Sequence, residues 1–171
     1  MLDTTTIPTP PGPLTILARE ETVLASGWTT DPDRLLALIG PGLRNGDGSQ
    51  PRRRRDLGPI THAVRDYLAG DVAAIDAVPV AQAATPFLER AWAQLRAIPP
   101  GTPETYRQLA ARCGSPAAVR AAGSACARNP TALFVPCHRI VRTDGSLGGF
   151  AYGLDVKRWL LAHERASAGA A

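Results

Sequence analysis

The sequence has no apolar run approaching the ~18 residues that a membrane-spanning helix needs, and its start, Met1–Thr4, lacks the basic stretch and apolar core of a signal peptide. Cysteine is scarce as well, since only Cys113, Cys126 and Cys137 are present and none are spaced as C-x-x-C. These absences argue against a membrane protein, a secreted disulfide framework and a closed zinc cluster. We therefore expect a cytoplasmic protein that binds no metal.

The composition is that of an ordinary globular protein. Hydrophobic residues make up 44% and charged residues 20% of the 171-residue chain, a length that suits one domain or two small lobes. The formal net charge of +4 permits a polyanionic partner. Only Lys157 among the 19 basic residues is a lysine, so the abundance of arginine follows a compositional bias and is by itself weak support for phosphate binding.

The first 30 residues have the pattern of β-strands. Leu14, Ile16 and Ala18 recur at every second position after the turn-forming Pro10–Pro13 segment, and Val23–Trp28 forms a second apolar run. Alternation on both sides of a short polar stretch predicts an antiparallel hairpin.

Residues 38–58 show no periodicity and are predicted to be a loop. This stretch contains four consecutive arginines, Arg52–Arg55. A run of like charge is typical of a solvated loop, and it could also contact DNA phosphates. We favour the solvated loop, and both interpretations stay open at this point.

Apolar residues at helical spacing mark four segments, which are residues 60–68, 85–98, 102–112 and 117–127. Gly70 is expected to end the first helix, and Thr85 followed by proline is expected to cap the second, whose predicted buried stripe includes Phe87. The last two helices are joined by Gly114–Pro116, and this arrangement is typical of a helix-turn-helix.

The second helix of that pair, Ala117–Ala127, is unusual because it consists almost entirely of alanine, glycine and serine, apart from Arg120. Major-groove recognition helices present long hydrogen-bonding side chains to base edges, and this segment has very few. Small residues favour close packing against another helix, or close approach to a minor groove without sequence readout. The pattern alone favours core packing.

The chemically informative stretch places Cys137 beside His138 and Arg139, after an apolar run and the stiffening Pro136. Such basic surroundings favour the thiolate and are expected to lower the pKa of the thiol, which suits a nucleophile. The alternative is a small buried hydrophobic residue, as free cysteines often are. Adjacent residues on a strand point to opposite sides, so cooperation between Cys137 and His138 requires a turn.

The segment Pro136–Ile140 resembles the PCHR[VI] signature of the O6-alkylguanine-DNA alkyltransferases, also called methylated-DNA–protein-cysteine methyltransferases. Flanking matches extend the resemblance over nearly all of residues 85–166, and they are Ile98–Gly101, Tyr106–Ala110, Ala118–Gly123, Asn129–Pro130 and Val156–Glu164. The N-terminal match is weaker and rests on Thr9–Leu14 and Tyr67–Asp71.

The resemblance implies direct reversal of DNA damage, in which the alkyl group on O6 of guanine moves irreversibly to Cys137 in a single turnover. It implies an α/β fold with a small ribonuclease-H-like sheet lobe at residues 1–80. Residues 81–171 would then form a helical DNA-binding and alkyl-acceptor domain with the helix-turn-helix. It further implies a monomer that uses no cofactor and binds double-stranded DNA, so that the protein associates with the bacterial nucleoid.

Catalytic roles carry over residue by residue. In the family a histidine takes the thiol proton through a bound water and a glutamate holds the imidazole, and the matching residues here are His138 and Glu164. Tyr106 matches the tyrosine that protonates guanine N3 as the base leaves, and Lys157 matches an active-site lysine. Without the resemblance, Glu164 would be taken as a solvated carboxylate and Tyr106 as a helix-face aromatic.

DNA-contacting roles carry over in the same way. The family inserts its recognition helix into the minor groove, and an arginine matching Arg120 fills the space left by the flipped nucleotide. Asn129 matches an asparagine that ties this helix to the active-site segment. The other matched DNA-binding positions are Ser115, Ala121, Ala122 and Gly123, and the matched base-pocket positions are Ile140, Phe150 and Ala151.

Some positions depart from the family pattern, including Phe150 where tyrosine is usual, Leu88 where glutamine is usual and Ala132 where many members have proline. These departures leave open the size of the alkyl group, activity on O4-alkylthymine and cooperativity on DNA. The alternative function is a non-catalytic sensor of alkylated DNA, but such sensors replace the acceptor cysteine, which is present here as Cys137. A transcription factor would need base-reading side chains on residues 117–127.

Overall fold

The computed structural model describes residues 1–44 and 48–170, so part of the predicted loop, Asn45–Asp47, lies outside the described residues. The fold is mixed α/β, with one four-stranded sheet, one two-stranded sheet and several helices. The chain forms two compact units, one of Met1–Ala83 with Pro130–Phe134 and the other of Ala84–Asn129 with Val135–Ala171. Within the described ranges, no helix has the length and apolarity needed to cross a bilayer.

The sheet of the first unit has the strand order β3-β2-β1-β4. Its strands are β1 (Asp3–Thr9), β2 (Gly12–Arg19), β3 (Thr22–Gly27) and β4 (Arg52–Arg53). Strand β2 pairs antiparallel with β1 and with β3, so the predicted hairpin is confirmed as β2 and β3. The side chains of Leu14, Ile16 and Leu17 in β2 are fully buried, and because neighbouring strand residues alternate, both faces of this strand are covered.

The loop prediction was wrong at Arg52–Arg53, which form β4 and lie parallel to β1. The backbone N–H of Arg52 donates to the carbonyl of Leu2, and that of Arg54 donates to the carbonyl of Thr4, both at 2.8 Å. Strand pairing uses backbone groups, so exposed arginine side chains give no hydrophobic alternation from which this strand could be predicted.

The described part of the first unit has two α-helices, α1 (Pro32–Leu36) and α2 (Pro59–Leu68). The second is the helix predicted over residues 60–68, and it buries Ile60, Val64 and Tyr67. The first was missed although Asp31, a good N-cap residue, precedes a proline there, because five residues are too few for a periodic pattern.

The second unit contains α3 (Pro86–Arg96), α4 (Tyr106–Arg112), α5 (Val119–Ala127), α6 (Leu154–Gly169) and the parallel strands β5 (Glu104–Thr105) and β6 (Ile140–Val141). Thr85 caps α3 as predicted, but the helix buries Leu88, and Phe87 stays partly exposed. Helix α4 begins at Tyr106 rather than Thr102. The reason is that Glu104–Thr105 pair with β6 and that Thr105 and Gln108 form a reciprocal capping box.

The segment Pro130–Phe134, which precedes the Cys137 turn in sequence, belongs to the first unit and lies against β3. The Ser26 backbone N–H donates to the Pro130 carbonyl at 2.8 Å, and its hydroxyl donates to the Ala132 carbonyl at 2.7 Å. The Gln82 amide adds a bond of 3.0 Å to the Thr131 hydroxyl. Residues close to Cys137 in sequence are therefore fixed to a sheet.

Replacing Trp92 with phenylalanine should lower the free energy of unfolding. The indole N–H donates to the Ala125 carbonyl in the last turn of α5 at 2.9 Å, and its loss leaves that buried carbonyl without this donor, at a cost of about 1–3 kcal/mol. Trp159→Phe is the control, because the described residues offer its indole N–H no acceptor and it stacks on His163. Chemical denaturation of both variants tests this, and equal losses would contradict it.

Candidate active site

Cys137 opens a single 3-10 turn, Cys137–Arg139, directly after Pro136. Its backbone N–H donates to the Val135 carbonyl at 2.9 Å, and the N–H of Arg139 donates to the Pro136 carbonyl at 3.0 Å. The sulfur-bearing side chain is only 6% exposed, and His138 and Arg139 are buried as well. The turn expected from the sequence is therefore present, and Cys137 and His138 are not placed on opposite faces of a strand.

The buried Asn129 connects the end of α5 to this turn. Its side-chain amide donates to the Val135 carbonyl at 2.7 Å, and the same side chain hydrogen-bonds the Cys137 sulfur. The residue thus lies where the sequence match expects a tie between the helix and the active-site segment.

A buried cluster of three side chains lies behind the turn. Nε2 of His138 is 2.7 Å from Oε1 of Glu164, which projects from α6. The guanidinium of Arg139 binds both oxygens of the same carboxylate, with Nε to Oε2 and Nη2 to Oε1 both at 3.0 Å. Its third donor, Nη1, bonds the Ile98 carbonyl at 2.7 Å. The fold therefore brings together His138 and Glu164, which are 26 positions apart.

The charges of this cluster follow from its burial and its partners. Burial alone would raise the pKa of Glu164, but the hydrogen bonds of His138 and Arg139 and the positive charge of Arg139 outweigh it and hold that pKa below its usual range. Burial lowers the pKa of His138 despite the nearby carboxylate. The resting pair is thus an ionised glutamate, balanced by Arg139, and a neutral imidazole.

The tautomer of His138 is fixed by its partner, because an ionised carboxylate only accepts hydrogen bonds. Nε2 must therefore carry the ring proton, and this N–H donates a hydrogen bond to Glu164. Nδ1 is then the basic nitrogen, and among the described residues it has no hydrogen-bond partner. The imidazole is held ready to accept a proton at Nδ1.

The expectation of a lowered thiol pKa is wrong for the resting protein. Burial raises the pKa of Cys137, and the Asn129 hydrogen bond and the charge of Lys157 offset this only in part. The sequence pattern suggested that the charge of Arg139 would stabilise the thiolate. In the structure the Arg139 guanidinium binds Glu164 instead. The thiol is protonated at rest, so its reactivity depends on removing that proton.

Lys157 is fully buried on α6 and has carbonyl partners. Its ammonium donates to the Ile140 carbonyl at 2.6 Å and to the Gly149 carbonyl at 3.2 Å. Burial lowers its pKa, and the nearby Cys137 opposes that shift. Lys157 thereby fixes two of the segments in which the base pocket was predicted.

A cavity of about 540 Å³ adjoins this region. It is lined by Arg142, by residues 146–150 and by Gly153, Leu154 and Arg158. Phe150 therefore lines the cavity. Its ring packs edge to face against the ring of Tyr152, with the two ring centroids 5.8 Å apart. Ile140 and Ala151, the other predicted pocket residues, lie outside its lining.

Tyr106 is the first residue of α4, and its ring is packed tightly against Gly148. A Cβ added at Gly148 would lie 2.8 Å from the tyrosine Oη, so any other residue would force the tyrosine ring to shift. Gly148 also has a φ of +71°, in the region that favours glycine. Burial, followed by the charges of Cys126 and Cys137, raises the pKa of Tyr106, so the hydroxyl stays a proton donor at neutral pH.

The predicted DNA-contacting residues divide by exposure. Arg120 is exposed on α5, and Ser115, Ala121 and Gly123 are partly exposed. Ala122 is fully buried, so its side chain faces the interior of the unit rather than a partner. Helix α5 thus combines a packed face with an open one.

The remaining cysteines form no disulfide, with Cys113 buried and Cys126 partly exposed. Burial raises the pKa of the Cys113 thiol and of the Cys126 thiol. Across residues 1–44 and 48–170, no group of three or more histidine, cysteine, aspartate or glutamate side chains is placed to hold a metal ion.

Sequence reasoning missed two residues of this site, Arg139 as a partner of Glu164 and Gly148 as the neighbour of Tyr106. The sequence did contain a signal for Arg139, which follows the apolar residues 133–135 closely. An arginine that is buried together with such a run needs a hydrogen-bonding or charged partner. Gly148 gave no comparable signal, because its role depends on a contact with a residue 42 positions earlier.

The chain is similar to known proteins over most of its length. The family model described as 6-O-methylguanine DNA methyltransferase, DNA binding domain, matches residues 86–166. The chain is 40% identical over 159 residues to a methylated-DNA–protein-cysteine methyltransferase of Salmonella typhimurium, and the match covers 92% of each protein.

Solved structures are similar over nearly the whole chain. The O6-methylguanine methyltransferase of Mycobacterium tuberculosis superposes with a TM-score of 0.78 at 28% identity, covering 98% of this chain and 94% of that one. A structure of the same organism's protein in complex with DNA gives a TM-score of 0.77 at 27% identity, covering 96% and 94%. The resemblance seen in residues 136–140 is confirmed, and the chain belongs to the family of methylated-DNA–protein-cysteine methyltransferases.

Proposed function

We propose that this protein repairs alkylated DNA directly, by moving the alkyl group from O6 of guanine to the sulfur of Cys137, once per molecule. The sulfur–carbon bond forms as the carbon–O6 bond breaks, and no cofactor takes part. The observation that carries the proposal is the buried Cys137, one residue from a neutral His138 that Glu164 and Arg139 hold in place. The same chemistry extends to O4-alkylthymine only if that base fits the pocket.

The thiol proton goes to His138. Nδ1 is the basic nitrogen, and Glu164 stabilises the imidazolium that forms, because its carboxylate is ionised and 2.7 Å from Nε2. In the family this transfer passes through a bound water. Arg139 acts through Glu164, so it is a positioning residue that keeps the carboxylate ionised and correctly placed.

The thiolate needs stabilisation in a buried site. The Asn129 hydrogen bond and the positive charge of Lys157 both favour the thiolate over the thiol. Both groups are fixed before the substrate arrives, since Asn129 also bonds the Val135 carbonyl and Lys157 bonds the Ile140 carbonyl. The site therefore needs little reorganisation when negative charge develops on sulfur.

The leaving guanine needs a proton, which we assign to Tyr106. Its raised pKa keeps the hydroxyl protonated until negative charge builds on guanine N3. Ile140, Phe150 and Ala151 are proposed to contact the base. Lys157 bonds the carbonyl of Ile140 and that of Gly149, the residue before Phe150.

Duplex DNA is the proposed partner, with α4 and α5 acting as a helix-turn-helix in the minor groove. The exposed Arg120 fills the space left by the flipped nucleotide, while Ala121 and Gly123 permit close approach and Ser115 contacts the backbone. Extrusion costs a few kcal/mol and is cheaper for a lesion that pairs badly. Binding without base readout suits damage that arises in any sequence.

We assign DNA binding and alkyl acceptance to residues 81–171. Residues 1–80 are proposed as a ribonuclease-H-like lobe. We propose that the protein acts as a monomer in the cytoplasm and joins the nucleoid when bound to DNA.

Incubation with a duplex that carries one O6-methylguanine should add one methyl group per molecule, located on Cys137. Peptide mass spectrometry identifies the site. Cys137→Ser should accept none, while Cys126→Ser, the matched control, should accept one. Tight binding to the lesion without transfer would contradict the proposal and support the damage-sensor function.

Glu164→Gln should slow the single-turnover transfer by about 10²–10⁴-fold, because the imidazolium loses its counter-charge. Glu104→Gln is the control, since it removes the other glutamate that pairs with an arginine in this unit, Arg112. In the wild type the rate should hold as the pH falls through 6.5, the ordinary pKa of histidine, because burial lowers the pKa of His138 and keeps it a base. Rapid-quench kinetics measures both, and an unchanged rate in Glu164→Gln would refute the role of the carboxylate.

Tyr106→Phe should slow transfer by about 10²-fold, since the leaving base loses its proton donor. Gly148→Ala should also slow it, because the new methyl group displaces the tyrosine hydroxyl. The matched control is Gly145→Ala, which has a similar φ of +84° but open space around the new atom. Equal rates for the two alanine variants, or full activity of Tyr106→Phe, would exclude this assignment.

A further inference from the structure

The proposed function leaves the arginine run of the first unit unused, and a cavity lies beside it. This cavity has a volume of about 270 Å³ and is lined by Thr4–Thr6 of β1 and by Arg53–Arg55. We call it the arginine cavity. It is formed by one edge of the sheet and the chain that leaves β4.

The charges around the arginine cavity are uneven. Arg52 is paired with Asp3 through two bonds of 2.8 and 3.1 Å, so both charges are balanced. The three arginines that line the cavity are exposed, and within the described part of the chain their guanidiniums form no ion pair or hydrogen bond. The cavity therefore carries three cations that no ion pair neutralises, although Arg54 lies close enough to Asp3 to help lower the pKa of that carboxyl.

A second observation concerns Thr4, which is 7% exposed and lines the same cavity. Its hydroxyl is buried and has no hydrogen-bond partner among the described residues. Buried hydroxyls are almost always satisfied, because leaving one unpaired costs free energy. The hydroxyl is enclosed, so a ligand oxygen would accept its hydrogen bond only after neighbouring side chains move.

The backbone of β1 adds a third donor. The carbonyls of Leu2 and Thr4 accept bonds from β4, so even-numbered residues of β1 direct their backbone groups to that edge. Thr6 is the next such residue and lies beyond the last bond to β4. Its N–H therefore faces the open edge beside the arginine cavity.

We propose that the arginine cavity is a phosphate-binding site. Arg53, Arg54 and Arg55 supply charge and fork-shaped donors that match phosphate oxygens, and the Thr4 hydroxyl and the Thr6 N–H supply neutral hydrogen bonds. The phosphate comes from the DNA backbone or from free phosphate, and only the first source rests on the proposed function.

The first test uses inorganic phosphate and the full-length protein. Phosphate, compared with chloride at equal ionic strength, should raise the Tm of the wild type but not that of Arg54→Gln. The control Arg65→Gln loses the same charge from an exposed pair with Asp56 in the same unit, and it should behave as the wild type.

Thr4→Val separates specific binding from general charge. It removes only the hydroxyl, so it should raise the Tm without phosphate, since the unpaired group is gone, and reduce the shift that phosphate produces. Equal phosphate shifts in the wild type, Arg54→Gln and Thr4→Val, or none in any, would overturn the site.

The second test identifies the source. The affinity for an undamaged duplex is measured against salt concentration for the triple variant R53Q/R54Q/R55Q and for Arg65→Gln. If a DNA phosphate occupies the site, the slope of log affinity against log salt falls by about 0.9 per lost contact in the triple variant only. An unchanged slope together with phosphate binding supports the site, assigns free phosphate as its ligand and overturns DNA as the source. Neither test requires alkyl transfer, so their outcome is independent of Cys137.

Discussion

The buried contact between Arg139, Glu164 and His138 is the interaction on which the rest of the site depends. Burying a carboxylate is costly, and here the cost is offset because Arg139 binds both carboxylate oxygens through Nε and Nη2, while its third nitrogen, Nη1, donates to the Ile98 carbonyl. With its charge balanced in this way, Glu164 stays ionised. The imidazole is left neutral, oriented through Nε2 and basic at Nδ1.

This arrangement explains how a cysteine with a raised pKa can still serve as an alkyl acceptor. A thiol that is protonated at rest is protected from indiscriminate alkylation and oxidation, because the thiolate is the reactive form. Its activation is local, since a base lies one residue away, and Asn129 and Lys157 favour the thiolate as it forms. The 3-10 turn after Pro136 makes this geometry possible, because a strand would direct Cys137 and His138 to opposite sides.

Much of this was predictable from local signals. The β2–β3 hairpin, the cap of α3 at Thr85 and helix α2 each follow from periodicity or capping within a few residues. Contacts that join distant segments were not predictable in this way. Strand β4 pairs through its backbone, and the start of α4 depends on a partner strand 36 positions away, at Ile140. The pKa of Cys137 was predicted in the wrong direction because adjacent charges are visible in a sequence whereas burial is not.

The protonation state of His138 is the most direct test of this account. Nitrogen NMR of the imidazole in the intact protein, recorded between pH 5 and pH 8, reports both the charge and the tautomer. The account predicts a neutral ring with its proton on Nε2, still neutral when the pH falls through the ordinary histidine value of 6.5. A ring that is charged at neutral pH would contradict it, because no basic nitrogen would be left to receive the thiol proton. A proton on Nδ1 would also contradict it, because the basic nitrogen would then be Nε2, which faces Glu164.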